Sequence, residues 1–474
     1  MSERVALSFG TDGWRGQIAR DFTFAHLEIV AQAFADYVRE LDLSPREIFI
    51  GYDRRFLSER FAVCVAEVLA ANEIRVAVSE RDLPTPLVSF QVRQMGLPAG
   101  IVITASHNPA HFNGFKVKES FGGSARPHVT SAIEARLFRS QPRRLPLKEA
   151  QAVGLIRWIA PCDDEYFRTL RTLVDVEAIR RRDWTILVDA MHGTADGYTE
   201  RLLRGSRCRV ITIRAARDPL FGGVHPEPLP THLGPLFQAV RSHKAIVGLA
   251  TDGDADRFAA VDEQGEFITP HQIFPLLILH LARTRGARGA VVRTFSQSVL
   301  VDRVAQALGL PLKIVPIGFK YIADLMLTED ILIGGEESGG IGVRGYLPER
   351  DGIFTGLLFL EAIAASGRTP SEMIRALWRE FGEFHYERRD LHRPVDEGRA
   401  IVARLAENPP DTLVGQPVAR IETLDGTKLH FRDGSWILFR QSGTEPVLRV
   451  YCEAPSRERV RQMIEAGVAL CRND

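Results

Sequence analysis

The sequence has no excess of charge of either sign and no apolar run long enough for a membrane span. Its 60 lysine and arginine residues balance 60 aspartate and glutamate residues, so we expect neither nucleic acid nor an anionic membrane surface as a partner. The most apolar run, Ile273 to Ala282, is too short to cross a bilayer and contains His280. The amino terminus lacks the apolar segment of a secretion signal. We therefore expect a cytoplasmic protein.

Cysteine and lysine are both scarce. The five cysteines are an odd number with no Cys-x-x-Cys pair, which argues against a zinc site or a disulfide framework and favours buried thiols. Only seven of the 60 basic residues are lysines, and three of these, Lys116, Lys118 and Lys320, lie in or near polar motifs in predicted loops. Lysine can lose its proton whereas arginine cannot, so such a lysine is a candidate acid or base. Chance placement in an arginine-rich chain is the alternative.

The chain of 474 residues is long enough for three or four domains. Apolar strands alternate with segments of helical periodicity, which predicts α/β domains, and a smaller unit at the carboxy terminus has an α+β pattern. An arginine- and proline-rich stretch from Arg136 to Pro146 is a plausible linker. The predicted domains are residues 1–148, 149–264, 265–382 and 383–474.

One motif presents a serine hydroxyl at the end of a predicted strand. The hexapeptide Thr104-Ala-Ser-His-Asn-Pro109 follows the apolar run Ala99 to Ile103 and stops at a proline. Ser106 beside His107, with Lys116 close by in the chain, has the composition of a nucleophile with proton-handling neighbours. A capped turn would use the same residue types.

A second motif is acidic. Asp252, Asp254 and Asp256 occupy alternate positions directly after the predicted strand Ala245 to Ala250. In an extended segment residues two apart point to the same side, so we expect the three carboxylates to converge. Packed like charges need a cation, and oxygen ligands suit Mg²⁺. Arg257 beside them could hold a phosphate bidentately, and a solvated acidic turn is the alternative.

Two further loops combine glycine with polar side chains. Arg440-Gln-Ser-Gly-Thr444 has a guanidinium, two hydroxyls and a glycine that lets backbone N–H groups face an anion, so it predicts a phosphate site. A simple hairpin connection is the alternative. The loop Gly334 to Gly340 carries Glu336 and Ser338, which are suitable contacts for sugar hydroxyls. That signal alone is weak, because glycine-rich acidic loops are common.

Taken in order, these four motifs, preceded by Phe9-Gly-Thr-Asp-Gly-Trp-Arg-Gly16, resemble those of the α-D-phosphohexomutase superfamily, the phosphoglucomutases and phosphomannomutases. The resemblance covers essentially the whole chain. It implies an α/β fold with four domains around a central cleft, three of them similar mixed α/β domains and the fourth a smaller α+β domain. It also implies that each domain contributes one motif loop.

The resemblance implies a reaction as well. Ser106 would carry a phosphoryl group, and its phosphate together with Asp252, Asp254 and Asp256 would bind Mg²⁺. The group would pass to the sugar to give a hexose 1,6-bisphosphate, and the other phosphate of that intermediate would return to Ser106. Hexose 1-phosphate and hexose 6-phosphate would thereby be interconverted.

The remaining residues of the expected site fall into two groups. Arg15 and Arg257 would neutralise the transferring group, and His107 and Lys116 are the candidates for moving the hydroxyl proton. The expected substrate contacts are Lys320, Glu336, Ser338, Arg440, Ser442, Gly443 and Thr444. Lys320 lies in Gly318-Phe-Lys320, which resembles the loop that distinguishes the two substrate orientations. The loop Arg440 to Thr444 would hold the phosphate that does not react.

The sugar loop bears on the choice of substrate. It reads Glu336-Glu-Ser-Gly-Gly340, whereas in the mannose-using and aminosugar-using branches it typically ends in histidine and has Met or Gln as its third residue. This favours glucose phosphates. The alternatives are a phosphomannomutase or dual-specificity enzyme, then a phosphoglucosamine mutase. An aspartyl-nucleophile phosphatase and a non-catalytic sugar-phosphate sensor are alternatives of other classes. We expect a monomer or dimer.

Overall fold

The computed structural model describes residues 7–10, 12–41, 47–443 and 446–472. The chain divides into two compact units. The first comprises residues 1–269, 323–329 and 338–370, and the second comprises residues 270–322, 330–337 and 371–474. Among the described residues, no helix combines the length and the apolar character that a membrane span requires.

The first sheet of the first unit lies within residues 14–159. Its elements are β1 (Trp14–Gln17), α1 (Phe24–Glu40), β2 (Glu47–Tyr52), α2 (Ser58–Ala71), β3 (Arg75–Ser79), α3 (Thr85–Gln94), β4 (Ala99–Ile103), β5 (Phe112–Glu119), α4 (Pro127–Glu134), α5 (Leu147–Ala152) and β6 (Ile156–Ile159). The strand order is β1-β5-β4-β2-β3-β6. Strands β2, β3, β4 and β6 run parallel, and β5 is antiparallel to β4 and β1.

Parallel strands explain why loops distant in sequence meet in this sheet. Because β2 and β4 are parallel neighbours, the loops that follow Tyr52 and Ile103 leave the same edge. Helix α1 has apolar residues at helical spacing. Three of them, Leu27, Val30 and Phe34, are buried in the core beside this sheet. The hydroxyl of Thr23 caps that helix by accepting from the His26 N–H.

The second sheet of the first unit lies within residues 163–268. Its elements are α6 (Asp163–Leu173), α7 (Val176–Arg180), β7 (Thr185–Asp189), α8 (Tyr198–Leu203), β8 (Arg209–Ile213), α9 (Gly234–His243), β9 (Val247–Thr251), β10 (Phe258–Asp262) and β11 (Phe267–Ile268). The strand order is β11-β10-β9-β7-β8, and β9 and β10 are antiparallel neighbours. The turn between β9 and β10 carries the three aspartates.

The rest of the chain completes the fold. Its elements are α10 (Pro270–Leu279), β12 (Ala290–Thr294), α11 (Val299–Ala307), β13 (Leu312–Val315), α12 (Phe319–Thr328), β14 (Ile331–Gly335), β15 (Ile341–Val343), α13 (Gly352–Ser366), α14 (Pro370–Phe381), β16 (His385–His392), α15 (Val395–Glu407), β17 (Thr412–Leu413), β18 (Gln416–Pro417), β19 (Arg420–Glu422), β20 (Thr427–His430), β21 (Trp436–Gln441), β22 (Val447–Ala454) and α16 (Arg457–Leu470). In the second unit β12 pairs in parallel with β13 and β14. The carboxy-terminal sheet has the order β16-β22-β21-β20-β19 with antiparallel neighbours.

The predicted α/β class is confirmed, but two local predictions are wrong. Lys116 and Lys118, expected in a loop, lie on β5 and are fully buried, and Lys320 lies on α12. In β5 the side chains alternate, so Phe115 and Val117 join the hydrophobic core while the two lysines face the other way. Lysine side chains normally indicate a solvent-exposed position. The burial of these two could not be predicted, because the carboxylates that neutralise them lie far away in the sequence.

The burial of the cysteines differs in part from expectation. Cys64, Cys452 and Cys471 are buried as predicted, but Cys162 and Cys208 are only half-buried. Strand β6 pairs with β3, so the first sheet continues past residue 148. The four domain boundaries stay a prediction.

Candidate active site

Ser106 lies in the loop that follows β4, in a strained backbone conformation. Its φ of 52° is in the left-handed region, which costs a residue with a side chain about 1–2 kcal/mol. Its side chain is buried, and the Oγ donates a hydrogen bond to Asp252 Oδ2 at 2.7 Å. The loop therefore presents the hydroxyl to the acidic turn between β9 and β10.

The three aspartates of that turn converge. Asp252, Asp254 and Asp256 are all buried, and they offer ligand atoms that lie within 4.8 Å of one another. The alternation of an extended segment is not the cause, because residues 252–257 do not continue β9 and Ala255 has a φ of 61°. A tight turn brings the carboxylates together instead.

The carboxylates have the chemistry of a divalent-cation site. Asp254 Oδ1 and Asp256 Oδ1 are buried and have no hydrogen-bond partner among the described residues, so each can act as an acceptor for an ion. Three converging oxygen ligands in a buried site suit a hard cation such as Mg²⁺. The residues present therefore fit the expected metal.

Two buried basic side chains of the protein, Lys116 and Arg350, neutralise part of the charge of the aspartates. Lys116 Nζ is 3.0 Å from Asp254 Oδ2 and 3.5 Å from Asp256 Oδ2, and Arg350 Nη2 is 2.8 Å from Asp256 Oδ2. Asp12 forms ion pairs with both basic side chains, at 2.8 Å from Lys116 and 2.9 Å from Arg350. The result is a compact network of alternating charges.

This network moves the pKa values of its members in opposite directions. Burial lowers the pKa of Lys116, but Asp12, Asp254 and Asp256 outweigh burial and raise it above its ordinary value. Burial raises the pKa of Asp254, but the Lys116 ammonium and the Thr85 hydroxyl outweigh it and hold that pKa below its ordinary value. Lys116 therefore keeps its proton, and Asp254 stays ionised.

Asp252 behaves differently from its neighbours. Burial raises its pKa, and the charges of Asp256 and Asp254 raise it further, to well above its ordinary value. Asp252 therefore binds a proton more readily than Asp254 does. It is also the one that accepts the hydrogen bond from Ser106.

Further basic side chains lie near the serine loop. His107 Nδ1 is 3.3 Å from Ser106 Oγ, and His107 Nε2 is 3.5 Å from Arg257 Nη2. Arg257 donates to Glu227 Oε1 at 2.7 Å. Arg15 reaches the serine loop through Asn108 Oδ1, to which it donates at 2.6 Å.

The expected substrate contacts lie elsewhere in the chain. Lys320, Glu336, Arg440, Ser442 and Gly443 belong to the second unit, Ser338 belongs to the first, and Thr444 lies outside the described residues. Arg440 lies near the end of strand β21 and donates to Asp425 Oδ2 at 2.9 Å. Ser442 is buried, and its N–H donates to the Val447 carbonyl at 2.9 Å.

Comparison with protein families gives four matches in chain order. They are the phosphoglucomutase/phosphomannomutase α/β/α domains I, II and III, over residues 6–144, 164–265 and 269–381, and the C-terminal domain over residues 393–469. The chain belongs to the phosphoglucomutase/phosphomannomutase family. It is therefore a mutase of the α-D-phosphohexomutase superfamily, an isomerase that transfers phosphoryl groups.

The relatives span the full length of this mutase. A phosphoglucomutase/phosphomannomutase of Thermococcus kodakarensis is 31% identical, with 98% of each chain covered. A phosphoglucosamine mutase of Mycolicibacterium paratuberculosis is 30% identical, with 97% of this chain and 98% of the relative covered. A crystal structure from Thermus thermophilus, provisionally named a phosphomannomutase, has a TM-score of 0.88 and 35% identity over 99% of this chain and 100% of the other.

These matches confirm the resemblance seen in the motifs and the class of three α/β/α domains plus a C-terminal domain. Three residues around the aspartates of the mutase were missed in the sequence. Asp12 lies in the stretch Phe9 to Gly16, which precedes the four motifs, but Glu227 and Arg350 carry no local signal. They contact the site only because the fold brings residues 225–228 and 349–352 to it.

Removing one carboxylate from the turn tests the metal site of the mutase. We expect Mg²⁺ to raise the unfolding temperature of the wild type, because an ion at about 100 times its dissociation constant stabilises the folded state by ~2.7 kcal/mol. Asp254→Asn should lose most of this shift. The measurement is thermal unfolding at increasing Mg²⁺ concentration.

Asp189→Asn is the matched control for that measurement. Asp189 is also buried and binds an arginine, Arg214 Nε at 2.8 Å, but it is not one of the three converging aspartates. This variant should be less stable yet keep the Mg²⁺-dependent shift. An equal shift in Asp254→Asn and the wild type would contradict the assignment of the site.

Proposed function

We propose that this mutase interconverts hexose 1-phosphate and hexose 6-phosphate, with glucose phosphates as the preferred pair. The transfer runs through a phosphoserine at Ser106 and a hexose 1,6-bisphosphate intermediate. The observation that carries the proposal is the hydrogen bond from the buried Ser106 hydroxyl to Asp252, one of three converging carboxylates. A hydroxyl in this setting is suited to carry phosphate, because the site can hold a cation for the phosphate oxygens.

For phosphoryl transfer a protein mainly has to position the reacting groups and neutralise the charge of the transferring group. Mg²⁺ held by Asp252, Asp254 and Asp256 would neutralise part of the negative charge on the phosphoryl group. Lys116 and Arg350 balance the same carboxylates from the protein side. Arg257 and Arg15 provide further positive charge near the serine loop.

Two polar groups lie beside the serine hydroxyl: a carboxylate that accepts its hydrogen bond, and an imidazole whose role as donor or acceptor depends on its tautomer. Asp252 Oδ2 lies at 2.7 Å and His107 Nδ1 at 3.3 Å from Ser106 Oγ. His107 is the better candidate for proton transfer during turnover, since a bound cation would compete for Asp252. Lys116 serves best as a fixed positive charge, because its neighbours raise its pKa.

The phosphate that does not react needs a second site, since the intermediate carries two phosphates. We assign it to Arg440, Ser442, Gly443 and Thr444. The Asp425 carboxylate fixes the Arg440 guanidinium near the end of β21, where the loop begins. Lys320, Glu336 and Ser338 complete the proposed substrate contacts, with the two residues of the glycine-rich loop directed to sugar hydroxyls.

Glucose is the proposed sugar because of the loop Glu336-Glu-Ser-Gly-Gly340. The names of the relatives include a phosphoglucomutase/phosphomannomutase and a phosphoglucosamine mutase, so mannose and glucosamine phosphates are the alternative substrates. A cytoplasmic location and a monomeric or dimeric state belong to the same proposal.

Phosphorylation of the protein tests the role of Ser106. After incubation with glucose 1,6-bisphosphate, intact-mass measurement should show one added phosphoryl group, and peptide fragmentation should place it on Ser106. Ser106→Ala should gain none, and its kcat should fall by at least about 10³-fold because the carrier is gone. Ser79→Ala, which removes a buried hydroxyl bound to the Arg81 carbonyl, should be phosphorylated like the wild type. A phosphoryl group on another residue, or on none, would refute the proposal.

A competition between sugars tests the substrate assignment. With the bisphosphate held constant, kcat/KM should be highest for glucose 1-phosphate among the 1-phosphates of glucose, mannose and glucosamine. The reason is that discrimination depends on how well the sugar hydroxyls are matched in the transition state. Faster turnover of mannose 1-phosphate or glucosamine 1-phosphate would overturn the choice of glucose and leave the class of reaction intact.

A further inference from the structure

A buried arginine holds the backbone of the serine loop. Arg55 lies between β2 and α2 and is fully buried. Its Nη2 donates to the carbonyl oxygens of Ser106 at 2.6 Å and Asn108 at 2.7 Å. Its Nη1 donates to those of Pro109 at 2.8 Å and Phe112 at 3.1 Å. One guanidinium thus binds the loop from the serine to the first residue of β5.

The same loop is held at the serine N–H. This N–H donates to Thr104 Oγ1 at 2.9 Å, and the Thr104 hydroxyl donates to Asp53 Oδ2 at 2.6 Å. Asp53 Oδ2 is also 3.2 Å from Arg55 Nε. The contacts therefore form a closed ring that binds Ser106 at its N–H through Thr104 and at its carbonyl through Arg55.

Such a ring is what the conformation of the serine requires. A left-handed residue that is not glycine persists only where its surroundings determine it, and Ser106 has a φ of 52°. The ring includes buried charge-assisted hydrogen bonds, which are short and directional. The ring binds the backbone N–H and carbonyl of Ser106, whereas the Ser106 Oγ donates to Asp252 in the aspartate turn. The ring thus places the backbone from which the reacting hydroxyl extends.

We propose that Arg55 is a positioning residue that, through the carbonyls of the serine loop and through Asp53 and Thr104, sets the place of Ser106 Oγ for phosphoryl transfer. This inference rests on the proposed role of Ser106 as the phosphoryl carrier. Arg55 acts on the rate of transfer to and from the serine and not on the affinity for the sugar phosphate. A residue that merely stabilised the fold would change the unfolding temperature and leave the rate of transfer unchanged.

The variants separate these two roles. Arg55→Lys keeps a positive charge opposite Asp53, but a single ammonium cannot reproduce the two-nitrogen fork that binds four carbonyls. Thr104→Val breaks the other half of the ring, whereas Thr104→Ser restores its hydroxyl. Arg54→Lys is the matched control, because Arg54 donates to Asp82 Oδ2 at 2.8 Å and to the Ala215 carbonyl at 2.6 Å instead of the serine loop.

The measurements are the rate of phosphoryl transfer from glucose 1,6-bisphosphate to Ser106, followed by rapid quench and intact mass, together with kcat, KM and the unfolding temperature. For Arg55→Lys and Thr104→Val we expect the transfer rate and kcat to fall by about 10- to 100-fold, because small misplacements of a reacting group have effects of this size. KM should stay within about twofold of the wild type. Thr104→Ser and Arg54→Lys should transfer at nearly the wild-type rate, whatever their unfolding temperature.

The outcomes distinguish this inference from the proposed function. If the wild type takes up phosphate on Ser106 but Arg55→Lys and Thr104→Val do so equally fast, the positioning role of Arg55 is refuted and the proposed function stands. If the wild type takes up no phosphoryl group on Ser106, the proposed function is refuted, and the inference about Arg55 falls with it. Should Arg55→Lys not fold, the pair Thr104→Val and Thr104→Ser decides the question, and equal rates in that pair would refute the inference.

Discussion

The burial of three carboxylates in one turn is the constraint on which the rest of the site depends. Two unit charges about 4 Å apart repel by ~4 kcal/mol at an effective dielectric constant of about 20, so Asp252, Asp254 and Asp256 need cations close by. The fold supplies Lys116 from β5 and Arg350 from the segment before α13. This need explains why two charged side chains are drawn into the interior of the first unit.

The surrounding charges also give Asp252 and Asp254 different pKa values. Asp254, held by Lys116 and Thr85, has a lowered pKa, whereas Asp252, which faces Ser106, has a raised one. Chemically identical carboxyl groups thus differ in pKa because their neighbours differ. Lys116 and Arg350 contact Asp254 and Asp256, whereas Asp252 accepts the hydrogen bond from Ser106. A serine beside such a carboxylate can share the site with a cation, and this favours the role of phosphoryl carrier over that of a hydrolase nucleophile.

What the sequence could predict follows from how local each feature is. The apolar strand before Ser106 and the acidic repeat before Arg257 lie within a few residues, so the class of fold and the two central motifs could be inferred. Arg350 is distant in sequence from Asp12 and Asp256, and Lys116 looks exposed until Asp12 and Asp254 are placed around it. Long-range partners of this kind need the tertiary structure.

In the proposed reaction the phosphoryl group passes through Ser106 in every turnover. The most direct measurement starts from isolated phosphoenzyme carrying a labelled phosphoryl group, mixed with unlabelled glucose 1-phosphate and quenched within a single turnover. We expect the label to leave Ser106 at least as fast as kcat and to appear in the sugar bisphosphate and then in glucose 6-phosphate. A label that stays on the protein while glucose 6-phosphate accumulates would contradict it.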